Sequence, residues 1–225
     1  MDAETLIAEL RSMANPQNAA GMARFGIQGG ELLGISVVTL RAIARRIGRD
    51  HALALRLWES GIHEARLLAA FVDDPRQVTP EQMERWVAGF DSWDICDQVC
   101  GSLFDKTPGA YERAAAWAER PEEFVRRAGF VLMTQLAVHD KKADDARFTA
   151  FFPLIRAHAA DERNFVRKAV NWALRQIGKR SRALNAQAVA LAEELRGLDS
   201  KSARWVAADA LRELTSPKTL SRIKR

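Results

Sequence analysis

Trp93, Asp97 and Gly101 stand four residues apart in the segment Ser92-Trp93-Asp94-Ile95-Cys96-Asp97-Gln98-Val99-Cys100-Gly101. At helical spacing they share one stripe. It runs beside an apolar face of Ile95, Val99 and Leu103, with Cys96 and Cys100 next to that face. An indole, a carboxylate and a residue with no side chain thus lie in a row, and the glycine leaves room for a ligand to come close to the carboxylate. The bland reading is that Trp is usually core and Asp usually solvated or paired. Further segments of the chain weigh against it.

A second stripe of this kind lies in 165–178. Phe165, Val166, Ala169, Val170, Ala173, Leu174 and Ile177 make an apolar face there, and Lys168, Trp172 and Arg175 run along its side. The matching positions are Arg127, Val131 and Thr134 in 124–138, and Trp205, Asp209 and Arg212 near the end of the chain. Segment 161–182 carries Arg163, Arg167, Lys168, Arg175, Lys179, Arg180 and Arg182 against Asp161 and Glu162. A solvated helix face explains such a run about half the time. Basic residues interleaved with Trp also suit a phosphate backbone.

The elements that must position these residues read as helix after helix. Helices are expected from Thr5 to Ala14, stopped by Asn15-Pro16, then from Asn18 to Phe25, and from Val37 to Gly48 behind the N-cap Ser36. Others are expected over 50–60, 62–73, 79–90, 92–104, 109–119, 121–138, 143–158, 161–178, 184–196 and 199–214. No alternating Val/Ile/Thr segment competes, so the fold class is all-α. Four segments match one another: Glu64-Ala65-Arg66-Leu67-Leu68-Ala69, Phe124-Val125-Arg126-Arg127-Ala128-Gly129, Phe165-Val166-Arg167-Lys168-Ala169-Val170 and Ser202-Ala203-Arg204-Trp205-Val206-Ala207. Each opens the second helix of a pair and sets an Arg at the same point (Arg66, Arg126, Arg167, Arg204). Helix pairs recurring about every 30–40 residues are the signature of an α-solenoid of HEAT-like type. No linker is visible, so one curved domain over 1–225 is expected. Its concave groove would hold Trp93, Asp97, Arg127, Lys168, Trp172 and Arg175.

Composition narrows the function classes. The 225 residues are 28% charged and 48% hydrophobic with a net charge of +5, ordinary for a soluble protein with a polyanion partner permitted. No apolar run reaches the roughly 18 residues of a membrane span. Met1-Asp2-Ala3-Glu4-Thr5 shows no secretory signal, and a reduced cytoplasmic setting is expected. Cys96 and Cys100 are one turn apart with unsuitable directions for a disulfide, and read as small buried hydrophobes. His51, His63, His139 and His158 are scattered, so no metal site is expected.

Met22-Ala23-Arg24-Phe25, Leu33-Gly34-Ile35, Ser92-Trp93-Asp94-Ile95-Cys96-Asp97, Val125-Arg126-Arg127-Ala128 and Phe165-Val166-Arg167-Lys168-Ala169-Val170-Asn171-Trp172-Ala173-Leu174-Arg175 occur in the order of the AlkD-like DNA alkylation-repair glycosylases. The chain resembles that family over nearly its whole length. The resemblance implies HEAT-like repeats and hydrolysis of the N-glycosidic bond of N3- or N7-alkylated purines in double-stranded DNA. It makes Asp97, Trp93, Trp172 and Arg127 the catalytic set, and Lys168, Arg175, Phe25, Arg167 and Lys179 the DNA contacts. It further implies a monofunctional enzyme without metal or cofactor and without base flipping. A solenoid groove offers no obvious enclosed pocket in any case. A monomer located with the nucleoid is expected. The chain departs from the family's pattern at Ser92, where a further Trp can stand, at Phe25, which lacks a hydroxyl, and at Val37-Val38, where a Pro often starts the helix. Trp58, Trp86 and Trp117 read as core. The basic tail of Lys218, Arg222, Lys224 and Arg225 reads as frayed, with non-specific affinity for DNA. The alternatives are a non-catalytic HEAT-like module that binds DNA or a protein partner through the same groove, and an interaction scaffold using Trp93 and Trp172 as anchors.

Overall fold

Helix starts in this chain are written in its short polar residues. The carboxylate, amide or hydroxyl of Asp2, Asn15, Ser36, Asp50, Thr79, Ser181, Ser200 and Ser216 each accepts from the backbone N–H three residues on. Each thereby satisfies one of the donors a helix leaves open at its first turn. The computed structural model describes residues 2–27 and 29–223. Among these there is no strand, only an isolated bridge between Glu31 and Ile62.

The chain divides into two compact units, Met1–Pro108 and Gly109–Arg225. The first holds α1 (Ala3–Ser12), α2 (Pro16–Met22) with a 3-10 turn at Ala23–Phe25, α3 (Val37–Ile47), α4 (His51–Glu59), α5 (His63–Val72), α6 (Pro80–Ala88) and α7 (Trp93–Ser102). The second holds α8 (Ala110–Ala118), α9 (Glu123–His139), α10 (Asp145–Thr149), α11 (Phe152–His158), α12 (Asn164–Gly178), α13 (Arg182–Arg196), α14 (Lys201–Leu214) and α15 (Pro217–Leu220). Within each unit helices pair with their chain neighbours, and second helices pack on second helices. In the first, α4 pairs with α5 and α5 packs on α7. In the second, α8 pairs with α9, α13 pairs with α14, and α12 lies between α9 and α14. This is the HEAT-like arrangement, and Leu6, Leu40, Leu57 and Leu68 in one unit and Trp117, Phe130, Leu174 and Ala210 in the other fill its cores. Trp86 and Trp117 are buried, while Trp58 stacks on Trp86 at 4.2 Å between ring centroids and keeps some exposure.

The repeated arginines tie successive pairs together. Arg66 of α5 donates to Asp91, in the loop before α7, at 2.9 Å, reaches the Gly89 carbonyl, and lies over the Trp58 ring. Arg126 of α9 does the same one unit further on, donating to Asp161, before α12, at 3.0 Å and to the Ala118 carbonyl at 3.1 Å. Burial opposes ionisation of Asp161, but hydrogen bonds from Arg163 and Arg126 overcome it and hold its pKa at about 2. Arg167 instead covers the Trp205 ring at 4.8 Å, and Arg204 turns back to the Leu198 carbonyl at 3.0 Å.

Three boundaries correct the sequence reading. Pro16 does more than stop α1: it occupies the first turn of α2 behind the Asn15 cap, where its missing N–H costs nothing. The single helix expected over 143–158 is two. Pro153 has no N–H to donate, and its ring would meet the carbonyl of Thr149, so α10 ends there and α11 begins at Phe152. Part of the tail expected to fray forms α15, capped by Ser216; Lys224 and Arg225 lie outside the described residues.

Gly129 marks a close helix crossing. A Cβ there would meet the backbone of α8 at 2.4 Å (Ala118 N) and 2.8 Å (Ala118 Cα). Gly129→Ala gains helix propensity of about 1 kcal/mol, yet forces α8 and α9 apart. The net expectation is a loss of about 1–3 kcal/mol, read as a lower urea midpoint with unchanged m-value. An equal or higher midpoint means the crossing yields freely.

Candidate active site

Helix α7 presents two neighbouring stripes. Trp93 and Asp97, both half-buried, form one. The Trp93 indole N–H donates to the carbonyl of Phe25 at 2.8 Å, which fixes the ring against the 3-10 turn that follows α2. The structure thus brings together two residues expected at the site, Trp93 and Phe25, in the first unit. The Phe25 ring is 72% exposed, a large aromatic surface for a lone side chain. Cys96 and Cys100 are reduced and buried on the inner face, as expected of small hydrophobes.

The second stripe, Asp94 and Gln98, faces a cavity of about 320 Å³ in the first unit. Its walls are mostly apolar, from Met22, Ile27, Ile35, Val37 and Leu67, with Trp93 along one side and His63 and Asp94 among the polar lining. The His63 Nε2 lies 2.8 Å from Asp94 Oδ2. Burial alone would push the Asp94 carboxyl up, but the hydrogen bond and charge of His63 bring it below the ordinary carboxylate range, so it is ionised at neutral pH. The Ser92 hydroxyl and the Ile95 N–H also hydrogen-bond to the Asp94 carboxylate, and His63 Nδ1 is buried without a hydrogen-bond partner among the described residues. The depression is open to solvent, as the expectation of no enclosed pocket has it. Its lining comes from five separate stretches of chain, and helical spacing links only residues within one stretch, as with Asn18 and Met22, His63 and Leu67, or Asp94 and Gln98. The one sequence signal for the dyad was that His63 precedes a repeat segment.

In the second unit Arg127 is buried on α9, where its guanidinium donates to the Phe165 carbonyl at 2.7 Å and so holds the start of α12. Trp172 is half-buried on α12; with the Gln176 amide turned to satisfy its neighbours, the amide oxygen accepts from Trp172 Nε1 at 3.2 Å and Lys179 Nζ at 3.1 Å. Arg175 pairs with Asp209 and Glu213 of α14, each at 3.0 Å, and Lys179 pairs with Glu213 at 2.7 Å. Two of the cations expected on a phosphate path are therefore already matched by acids of the next helix but one. Lys168 is exposed and has no ion-pair partner among the described residues, so its charge is available to a ligand. Among the described residues no three His, Cys, Asp or Glu side chains gather as a metal site. No helix among them is long and apolar enough to cross a membrane.

Comparison with known proteins places the fold first. A solved structure described as a new family of proteins related to the HEAT-like repeat DNA glycosylases, with affinity for branched DNA structures, superposes with a TM-score of 0.78 over 95% of this chain and 96% of its own, at 18% identity. The fold is that of the HEAT-like repeat proteins. The family follows from sequence: residues 6–220 match the family described as DNA alkylation repair enzyme, and the chain belongs to it. Uncharacterized proteins of Listeria monocytogenes and Listeria innocua are 25% and 26% identical over 136 residues, 59% of this chain. That alignment spans 61% of the length of each relative.

Proposed function

We propose that this chain is a monofunctional DNA glycosylase that hydrolyses the N-glycosidic bond of cationic N3- or N7-alkylated purines in duplex DNA. The observation that carries the proposal is the Trp93–Asp97 stripe, an ionisable acid one turn from an indole fixed to the Phe25 carbonyl, in a member of the DNA alkylation repair enzyme family. A surface that only binds DNA has no use for a carboxylate, which phosphates repel.

Alkylation makes the purine a cationic leaving group. The bond from C1′ to the base breaks, its electron pair neutralises the purine ring, and the deoxyribose is left with developing positive charge. A carboxylate beside C1′ stabilises that charge and orients the water whose oxygen bonds to C1′, while the water's proton passes to solvent. Asp97 fills this role. The indole faces of Trp93 and Trp172 favour a cation by roughly 0.5–2 kcal/mol each. Arg127 belongs to the same catalytic set by resemblance. Water is the only co-reactant the reaction needs. Lys168 and Arg167 contact phosphates, Phe25 lies against the strand, and Arg175 and Lys179 exchange their α14 acids for phosphates when DNA binds.

Single-turnover release of 7-methylguanine from a methylated duplex tests the proposal. Release at a rate well above that of the duplex alone is expected. No release, with tight binding of duplex or of a branched junction, hands the chain to the reading in which a HEAT-like module binds DNA without chemistry; the related structure's affinity for branched DNA supplies the reason to include that arm. Lys168→Ala is expected to weaken binding to all duplexes alike and to lower the salt slope by about one. An unchanged slope takes Lys168 off the phosphate path.

A further inference from the structure

Helices α12 and α14 pack on each other in one register, and their cross-pairs follow one another like rungs. Asn171 and Arg175 of α12 reach Asp209 of α14, at 2.7 and 3.0 Å. Arg175 and Lys179 reach Glu213, four residues further on, at 3.0 and 2.7 Å. Both rungs end in a carboxylate on α14, which neutralises the cations opposite it. One turn nearer the start of the two helices the pattern changes. The residue four before Asp209 is Trp205, and what faces it from α12 is Arg167, its guanidinium carbon 4.8 Å from the ring centroid. An aromatic face attracts a cation without cancelling its charge. The Arg167 charge is therefore open to an outside anion, where those of Arg175 and Lys179 are matched.

Trp205 is 39% exposed, the one exposed aromatic side chain of the second unit among the described residues. Its surroundings are basic. Lys168 follows Arg167 on α12, and Lys201 stands one turn before Trp205 on the same face of α14. Both lysines are exposed and have no ion-pair partner among the described residues. Asp209, one turn after Trp205, is taken up by Asn171, Arg175 and Arg212. Asp199, in the loop before α14, is met by Arg204 at 3.4 Å.

These surroundings select the partner. The core of a protein–protein contact is depleted of charge and sets its aromatic anchors in closely packed pockets. Trp205 has the reverse setting, a single ring among cations. That combination suits a nucleic-acid strand, whose base stacks on the ring while the phosphates on either side meet the charges. A base inside a duplex has both faces covered by its neighbours, so only an unpaired base can lie against Trp205. We propose that Trp205, with Arg167, Lys168 and Lys201, binds an unpaired nucleotide of single-stranded DNA. The base lies on the part of the indole that Arg167 leaves open, and the flanking phosphates lie at Arg167, Lys168 and Lys201. Hydrolysis of the glycosidic bond does not use Trp205; it adds to the duplex contacts of Arg167 and Lys168 a preference for DNA with a single-stranded stretch. That the strand is DNA rests on the reading above.

Fluorescence anisotropy with a labelled oligothymidylate and with a blunt duplex of equal length, at one salt concentration, tests this. Trp205 is exposed, so Trp205→Ala removes little packing, and circular dichroism checks that the variant folds. The wild type is expected to bind the single strand, and Trp205→Ala to bind it at least about fivefold more weakly, the lower end of the range for one base on one ring. Affinity of the variant for the blunt duplex is expected to stay at the wild-type value. Trp205→Phe keeps a stacking face and is expected to recover most of the single-strand affinity that the alanine loses. Equal weakening on both probes makes Trp205 part of the duplex surface and overturns the single-strand site. A wild type that ignores the oligothymidylate, or a Trp205→Ala that binds it as well as wild type, overturns the site too. Release of 7-methylguanine, measured on the same preparations, keeps the two readings apart. Strand binding that depends on Trp205 in a chain that releases nothing retains this site and removes the glycosylase. Release without such binding retains the glycosylase and removes this site.

Discussion

Asp97→Asn is expected to slow single-turnover excision of 7-methylguanine by at least about 10²- to 10³-fold, the range seen when one preorganised electrostatic group is removed from a transition state. The substitution keeps the shape of the side chain and removes its charge. A neutral amide still offers an oxygen to a water, so what it loses is the stabilisation of positive charge on the sugar. Duplex affinity is expected to stay within about threefold, or to rise slightly, because a carboxylate facing phosphates is unfavourable in the ground state. Loss of rate and affinity together in a folded variant makes Asp97 a binding residue and sinks its chemical role. Retained rate places the acid elsewhere, and Asp94, its neighbour on α7 and already bonded to His63, becomes the next residue to test.

How far the sequence carries can be followed along α7. Its existence, its apolar face and the Trp93–Asp97 stripe come from spacing within ten residues, and local periodicity reports such features directly. The all-α class and the repeated arginines are legible for the same reason: each repeat is one helix pair, and its pattern recurs. What the arginines hold is not legible. Arg66 finds Asp91 and Arg126 finds Asp161 across loops whose lengths differ, so no fixed offset links donor to acceptor. The acids that neutralise Arg175 and Lys179 lie on the next helix but one, and a reading that takes each helix alone counts those cations as available. The cavity needs α2, the loop before α3, α3, α5 and α7 together, and its His63–Asp94 pair joins two residues that look unrelated in the chain. The apolar pattern of 143–158 continues through Pro153, so periodicity alone does not report the break between α10 and α11.

The second large effect is on stability, at a residue that the repeat pattern picked out for position and not for chemistry. Glu64, fully buried in the first turn of α5, accepts from the backbone N–H groups of Leu33 at 2.9 Å, Gly34 at 2.7 Å and Ile35 at 3.3 Å. These three residues form a buried loop, and a buried loop must find partners for every backbone polar group. The Leu33 carbonyl takes the Asn15 N–H at 2.7 Å and the Gly34 carbonyl takes the Asn18 amide at 3.2 Å, which leaves the N–H side to the carboxylate. Gly34 is there because its φ is +73° and a Cβ would lie 2.3 Å from the Asn15 carbonyl oxygen. Glu64→Ala orphans all three donors, each at about 1–3 kcal/mol less whatever water recovers. A loss of about 3 kcal/mol or more is expected, against the roughly 5–15 kcal/mol that holds a domain folded. For a chain of this size that corresponds to a fall in Tm of roughly 10 °C. Glu64→Gln keeps the volume but turns one acceptor into a donor that faces an N–H, so an intermediate loss is expected. A Tm within about 2 °C of wild type for Glu64→Ala means that water satisfies the loop as well as the carboxylate does, and that the loop stands without it.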